Sequence, residues 1–293
     1  MRLTITAPGT FVWEPVNPQV PEAGEVWVRT QLSALSLSSE LSVIEQGPFP
    51  TSLGYQTLGT VEASGPGNTL QCGQRVVTTL GHASAGLHHV SRVWPVPDAV
   101  PDRVALAVIL GEETHKGIRR VLPERDEQVL VIGAGLLGLL TIFNLTRRGV
   151  ANVTVVEPDA ARRTLAEQFG ATAVVPGALP HGTFDVGFEC SAAPTGFIEM
   201  LSHLRPRGRA CVLSDGNWGA LVLPPAFHRR ELSIVASSDG DDYGVYAAWL
   251  WRNIDPLLGQ LFEVATTPDA LPAAYTHWRN AARPVSGVVQ WSL

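Results

Sequence analysis

The stretch VLVIGAGLLGLL (129–140) carries the densest chemistry in the chain: Gly133, Gly135 and Gly138 form a G-x-G-x-x-G turn after an apolar strand and at the start of a helix. In that pattern the first glycine permits a tight turn, the second admits a pyrophosphate against bare backbone, and the third lets helix and strand approach closely. Leu136 and Leu137 open the helix, where free N–H groups and the positive end of the helix dipole attract phosphate. Nineteen residues past Gly138 stands Glu157, after the next strand VTVV (153–156). A carboxylate there accepts hydrogen bonds from both adenosine ribose hydroxyls and repels a 2′-phosphate, so NAD is expected ahead of NADP. Arg162 and Arg163 keep NADP open, because either suits a 2′-phosphate as well as a solvated helix face. Two other readings compete: a βα turn that binds no nucleotide, and a methyltransferase, which also starts with a glycine-rich turn. Strand, glycines, helix, second strand and terminal acid agree in order and spacing, and this favours the dinucleotide.

The frame for that turn is legible in the periodicity. From Asp102, DRVALAVILGEETHKGIRRV reads as helical. Strands then alternate with helices: VLVI (129–132), a helix over about 136–148, VTVV, and a helix capped by Asp159 and closed by Gly170. FDVGF (184–188), the helix FIEMLSHL, ACVL (210–213) and SIVA at about 234–237 continue the series. Such alternation implies an α/β fold with a doubly wound parallel sheet covered by helices on both faces. Residues 1–97 differ, with short apolar alternations broken by Pro and Gly, among them GEVWVRTQL (24–32), GTVEASG (59–65), GQRVVTTL (73–80) and HHVSRVWPVP (88–97). These predict a small all-β unit. A helix over 271–281 and the strand VSGVVQW (285–291) are placed to return to it.

Composition narrows the function classes. With 293 residues, 45% hydrophobic and 16% charged, the chain can bury a large core in one large or two moderate domains. The net charge of −6 and scattered arginine pairs offer no basic stripe for nucleic acid. The apolar run 129–145 approaches membrane-spanning length, yet its three glycines and its Asn144–Arg148 exit suit a strand, turn and helix. Cys72, Cys190 and Cys211 are too few and too far apart for a disulfide framework, and the N-terminus lacks the pattern of a signal peptide. A cytoplasmic protein with free thiols is expected.

The small β domain, the glycine turn and the C-terminal return, together with GQRVV (73–77), VVEPDAARRTLAEQFGA (155–171), FDVGFECSAAP, LRPRGRACVLS and FHRRELSIVASS, resemble the medium-chain dehydrogenase/reductase superfamily over nearly the whole chain. The resemblance implies a GroES-like catalytic domain over 1–110, completed by 264–293, and a Rossmann dinucleotide-binding domain over 111–263. It implies hydride transfer to or from a nicotinamide. It also places Cys190, Ser191, Ser214 and Ser237 at strand ends along the cofactor, with Asp215 and Gly216 beside Ser214. A homodimer joined through the edge strand SIVASS is expected.

In metal-dependent members a Gly-His-Glu segment stands where this chain has Gly54-Tyr55-Gln56, and the histidine binds zinc. The cysteine place falls on Ser36 or Leu37 of ALSLSSEL (34–41), and the third ligand place on Ile109, with Glu112 or Glu113 in a shifted register. No cysteine lies between Gly73 and Trp94, where structural zinc would need four. Both metals are therefore expected to be absent. His82, His88 and His89 read as a polar loop and a half-exposed strand rather than a rebuilt site. The serine-rich segment followed by GYQ is similar to the zinc-less subgroup that includes bacteriochlorophyllide hydroxyethyl dehydrogenases.

Without a metal, the alkoxide formed during hydride transfer needs another proton donor. Tyr55, Ser39 and His115 are the candidates; their structural alternatives are core packing, a helix cap and a solvated helix residue respectively. Trp13, Phe49, Trp218 and Tyr243 either line an apolar pocket or fill the core. Two functions remain: a metal-independent oxidoreductase acting on an alcohol/carbonyl pair or an activated alkene, and a catalytically silent dinucleotide-binding sensor or partner subunit.

Overall fold

Period-two alternation in the first hundred residues builds strands wherever apolar side chains fall on one face. In the computed structural model, which describes residues 1–214 and 219–291, these are β1 (Arg2–Ala7), β2 (Thr10–Glu14), β3 (Glu25–Ala34), β4 (Thr51–Ser52), β5 (Thr57–Ser64), β6 (Arg75–Thr78), β7 (Ala85–His89) and β8 (Val93–Pro95). Helices α1 (Leu37–Gln46) and α2 (Asp102–Ala105) interrupt them. β3 is the organising strand. Its length lets it pair antiparallel with β5 along one edge and with β7 along part of the other.

The chain then enters α3 (Val108–Val121) and the nucleotide-binding pattern: β9 (Gln128–Ile132), α4 (Leu136–Arg147), β10 (Asn152–Val156), α5 (Ala160–Gln168), β11 (Thr172–Val174), β12 (Phe184–Glu189), α6 (Pro194–His203), β13 (Leu204–Val212), α7 (Pro225–Arg229) and β14 (Ser233–Ala236). All six strands are parallel, in the order β11-β10-β9-β12-β13-β14. VLVI of β9 and all of β12 are buried, as strands covered on both faces must be. The 129–145 run is thus a strand, a turn and a twelve-residue helix, and no helix among the described residues is long and apolar enough to cross a membrane.

The last segment holds α8 (Tyr243–Leu250), α9 (Leu257–Gln260), β15 (Val264–Thr266), α10 (Leu271–Asn280) and β16 (Gly287–Gln290). β16 pairs antiparallel with β3 and parallel with β15, completing the sheet β15-β16-β3-β5-β6-β8. The first unit comprises Met1–Ile109 and Tyr243–Leu293, the second Leu110–Asp242. Residues 243–263, expected in the nucleotide-binding domain, group with the first unit. Their side chains explain why: the Tyr243 ring lies 5.0 Å from that of Trp94 in β8, and α9 packs on α2.

The core of the first unit gathers on α1 and α10. Leu37, Leu41 and Ile44 share one face of α1 at i, i+4, i+7 spacing and meet Leu3, Ile5 and Tyr275. Each such buried side chain contributes about 1.5–3 kcal/mol, which fixes α1 and the residues at its N-terminus. Trp13 and Phe49 also pack on this cluster, Trp13 edge-on to Trp291. With Tyr243 against Trp94, three of the four aromatic candidates are accounted for by packing; Trp218 lies outside the described residues.

Candidate active site

In an open parallel sheet, ligands bind outside the carboxyl ends of the strands where the winding reverses. Here β9 is followed by β10 and β11 on one side, while the chain resumes with β12 on the other, so the reversal lies between β9 and β12. The loop after β9 is the glycine turn. Gly133 takes φ +92°, a left-handed conformation that glycine adopts without strain. An added Cβ at Gly138 would stand 1.9 Å from the Gly133 carbonyl oxygen, whereas one at Gly135 would meet no atom within 4 Å. Gly135 caps α4 without any side-chain hydrogen bond. The amide-rich first turn, with Leu136 and Leu137, therefore faces open space sized by a missing side chain.

The flanking strands supply carboxylates. Glu157, just past β10, is buried and accepts from the amide of Ala134 at 2.7 Å and of Asp159 at 2.9 Å. This ties it to the glycine turn itself. Arg163 donates to the carbonyls of Glu157 and Pro158, and Asp159 caps α5 by accepting from the Arg162 amide. On the other side Glu189, at the end of β12, is fully buried. It accepts from the Ser191 amide and from the hydroxyls of Ser191 and Ser214. Ala192 follows in the left-handed region at φ +58°, a conformation that costs a non-glycine residue about 1–3 kcal/mol and concentrates at functional sites. Cys190 is buried against Thr141 of α4, and burial, then Glu189, holds its thiol well above the ordinary range. It offers backbone only. Ser237 is buried too and donates to the Glu113 carbonyl. Asp215 and Gly216 lie outside the described residues.

In the first unit three half-buried hydroxyls converge at the N-terminus of α1. Tyr55 donates to Ser36 Oγ at 2.5 Å, Ser36 and Ser39 are 2.8 Å apart, and Ser39 lies 3.1 Å from the Tyr55 oxygen. Tyr55 is thus drawn into a polar cluster, and Ser39 donates back to the Ser36 carbonyl without serving as the helix cap. Gln56 is buried, and neither atom of its side-chain amide finds a partner among the described residues.

Behind the hydroxyls runs a second network. His82, expected in a polar loop, is fully buried. Trp291 Nε1–H donates to Ser33 Oγ, which is 2.8 Å from His82 Nδ1; His82 Nε2 is 3.1 Å from Glu40 Oε1, and Tyr275 donates to Glu40 Oε2. A proton on Nε2 directed at Glu40, with the Ser33 hydroxyl donating to Nδ1, satisfies these partners. Burial, then the Glu40 carboxylate, pushes the Tyr275 phenol well above its ordinary value. His115 lies elsewhere, in the second unit. It is buried rather than solvated, with Nδ1 3.0 Å from Glu112, whose carboxylate also accepts from Arg119 and from the amides of Asp241 and Asp242.

Comparison with known proteins bears on the fold. Residues 137–253 match the family model described as zinc-binding dehydrogenase. L-threonine 3-dehydrogenase of Cutibacterium acnes is 27% identical over 199 residues, covering 61% of this chain and 56% of that protein. The chain thus matches little more than half the length of that curated relative. The starvation-sensing protein RspB of Escherichia coli K12 is 25% identical over 86% of this chain and 88% of its own. A solved structure described as a short chain alcohol dehydrogenase (RspB) from E. coli CFT073, complexed with NADH, superimposes with a TM-score of 0.85 at 19% identity, covering 99% of this chain and 98% of that one. Residues 137–253 are thus similar to a zinc-binding dehydrogenase domain, and the fold of nearly the whole chain is that of the dehydrogenase structures.

Of the residues that the resemblance sets at the zinc-ligand places, Ser36 and Tyr55 bond one another through their hydroxyls. Leu37 and Ile109 are buried apolar residues. Among the described residues no group of three or more His, Cys, Asp or Glu is placed to hold a metal ion. Sequence reasoning missed Glu189, although a carboxylate closing the apolar strand FDVGFE was a visible signal. It also missed the Glu40–His82–Tyr275 network, whose members lie 42 and 193 residues apart along the chain and leave no local signature.

Proposed function

We propose that this protein is a metal-independent oxidoreductase that moves a hydride between NAD(H) and an alcohol/carbonyl pair or an activated alkene. The observation that carries the dinucleotide is the uncapped glycine turn at the sheet's reversal point, with open space at Gly135 and Glu157 beside it. The amides of Leu136, Leu137 and Gly138 would hold the pyrophosphate. Glu157 would hold the ribose, and the loop Cys190–Ser191 with Ser214 and Ser237 would border the remaining length. When bound, the nicotinamide supplies the hydride. Preference for NAD over NADP is supported by Glu157 and by Arg163, whose guanidinium is committed to two main-chain carbonyls.

Metal independence rests on donor chemistry. Zinc takes thiolate, imidazole or carboxylate ligands, whereas Ser36, Ser39 and Tyr55 present neutral hydroxyls that bond one another. That set does not fit the ion. The proton for a substrate oxygen then comes from Tyr55, with Ser39 next in reach; His115, paired with Glu112 on the second unit, is the third candidate. The reading further includes a small-molecule substrate, a cytoplasmic setting consistent with three free cysteines, and a homodimer formed through β14, which lies at the sheet edge.

Fluorescence titration with NADH, NADPH and S-adenosylmethionine tests the cofactor, and NADH binding is the expected outcome. Binding of S-adenosylmethionine alone would overturn the reading. Turnover with aldehydes, ketones, quinones and enones, measured before and after chelation, tests the rest. Stoichiometric zinc by elemental analysis, or loss of turnover on chelation, would refute metal independence. Affinity for NADH without turnover on any substrate class would favour a silent sensor.

A further inference from the structure

We propose that Ser36 and Ser39 are positioning residues that turn their hydroxyl protons onto the Tyr55 oxygen once Tyr55 has passed its own proton to a substrate oxygen. This rests on the reading of Tyr55 as the proton donor. The cluster holds three hydroxyl protons and at least four close contacts: Tyr55 to Ser36, Ser36 to Ser39, Ser39 to Tyr55, and Ser39 to the Ser36 carbonyl. At rest at least one contact lacks a proton, so the arrangement has more than one hydrogen-bonding pattern of similar geometry. With the Tyr55 proton directed outward, both serine protons can point at the phenol oxygen without moving a heavy atom.

Ser36 has no competing duty in the helix. It occupies the N-cap of α1, where a serine side chain ordinarily accepts from an amide two or three residues on, yet it makes no such bond. Its hydroxyl is spent on Tyr55 and Ser39 instead. The N-terminus of the ten-residue α1 adds a positive dipole end close to any negative charge formed on Tyr55. Glu40 on α1 opposes this with a carboxylate one residue from Ser39, but it is already engaged by His82, before β7, and by Tyr275 of α10.

The proton and electron balance is closed. A dihydronicotinamide, when bound, would supply the hydride for the new C–H bond at the carbonyl carbon. The carbonyl π pair moves to oxygen and takes the Tyr55 proton, and the O–H bond of Tyr55 breaks to leave a phenolate. Ser36 and Ser39 donate to that phenolate, which regains a proton from water through half-exposed Ser39.

The test reads Tyr55 directly, in the full chain without cofactor. Tyrosine labelled with carbon-13 at Cζ gives four resonances, from Tyr55, Tyr243, Tyr246 and Tyr275, and Tyr55→Phe assigns the first. Because a hydrogen bond to a charged group is worth more than one to a neutral group, the wild-type Tyr55 resonance should titrate about one pH unit below that of Ser36→Ala. Ser39→Ala should shift it similarly, and Ser36→Thr, which keeps the hydroxyl, should restore the wild-type midpoint. If Ser36→Ala does not fold, Ser39→Ala and Ser36→Thr carry the comparison. Equal midpoints in wild type and the alanine variants overturn the proposal, even if turnover still depends on Tyr55. The shifts without turnover on any substrate would leave the cluster intact and sink the oxidoreductase reading instead.

Discussion

Replacing Gly135 with alanine should separate nucleotide binding from folding. The new Cβ meets no atom within 4 Å, and the backbone φ of −76° suits alanine. Two folding terms of similar size oppose each other. Removing a glycine from the unfolded chain stabilises by about 0.4–1 kcal/mol, while alanine is a poorer N-cap than glycine by about 0.5–1 kcal/mol. The net change should stay within about 0.5 kcal/mol, a Tm shift under about 2 °C. Binding has no such offset. A methyl group in the space where a pyrophosphate would approach removes at least one charge-assisted N–H···O bond. At about 1.5–3 kcal/mol that raises the NADH Kd by roughly 10- to 150-fold. Gly138→Ala is the contrast, because its Cβ would lie 1.9 Å from the Gly133 oxygen and 2.9 Å from its carbonyl carbon. Helix and strand must part, and overpacking of this kind costs about 1–3 kcal/mol. Thermal melts and NADH fluorescence titrations of both variants decide the matter. Wild-type affinity in Gly135→Ala, or a melt as depressed as that of Gly138→Ala, would refute the assignment of the open space to phosphate.

Three further outcomes are expected. Tyr55→Phe should lower turnover by about 10²- to 10⁴-fold while leaving the NADH Kd unchanged in a binding titration; unaltered turnover would remove Tyr55 as donor. A thiol reagent at pH 8 should modify one of the three cysteines in the folded protein, exposed Cys72, since burial holds Cys190 well above its ordinary range and pushes Cys211 up to about 12; fast labelling of two or more contradicts this burial. Burial, then Arg2 and Arg92, holds His88 down from 6.5 to about 4. The unfolded chain therefore takes up a proton below pH 6.5 that the folded chain refuses until about pH 4, and stability falls as pH falls through that window, by about 3 kcal/mol at most. His88→Gln should flatten the loss, and equally steep acid melting curves in variant and wild type would count against it.

The fold of the α/β unit was legible because its signals are local. The glycines act through backbone geometry within six residues, Glu157 closes a strand that can be read from VTVV alone, and Asp159 caps its own helix. The hydroxyl site was half legible: comparison with metal-dependent relatives pointed to Tyr55, Ser39 and the Ser36/Leu37 pair, but no spacing rule says which of two adjacent residues turns inward. Packing decides it, because Leu37 belongs to the apolar face of α1 with Leu41 and Ile44, which rotates Ser36 toward Tyr55. His82 was misread because its partners Ser33, Glu40 and Tyr275 come from three distant elements. A histidine between Gly81 and Ala83 carries no local sign that a carboxylate waits 42 residues earlier. The placement of 243–263 was missed for a similar reason, since α8 is apolar nearly all round its circumference and its pattern does not name a partner.

The two networks of the first unit explain one another. A cluster of three hydroxyls is useful for proton transfer only if its oxygens stay within hydrogen-bond reach as protons rearrange, and serine side chains on a fraying helix end would not. The first turn of α1 is held from behind by Glu40, which is anchored through Tyr275 to α10 and through His82 and Ser33 to β3, with Trp291 closing the chain of bonds after β16. Glu40 follows Ser39 directly, so the anchor acts at the residue next to the working hydroxyl. Removing one member of such a buried set leaves its partners unpaired in a low-dielectric interior, at about 1–3 kcal/mol or more each. The carboxylate therefore serves the site by fixing where Ser39 stands, while its charge is met by His82 and Tyr275.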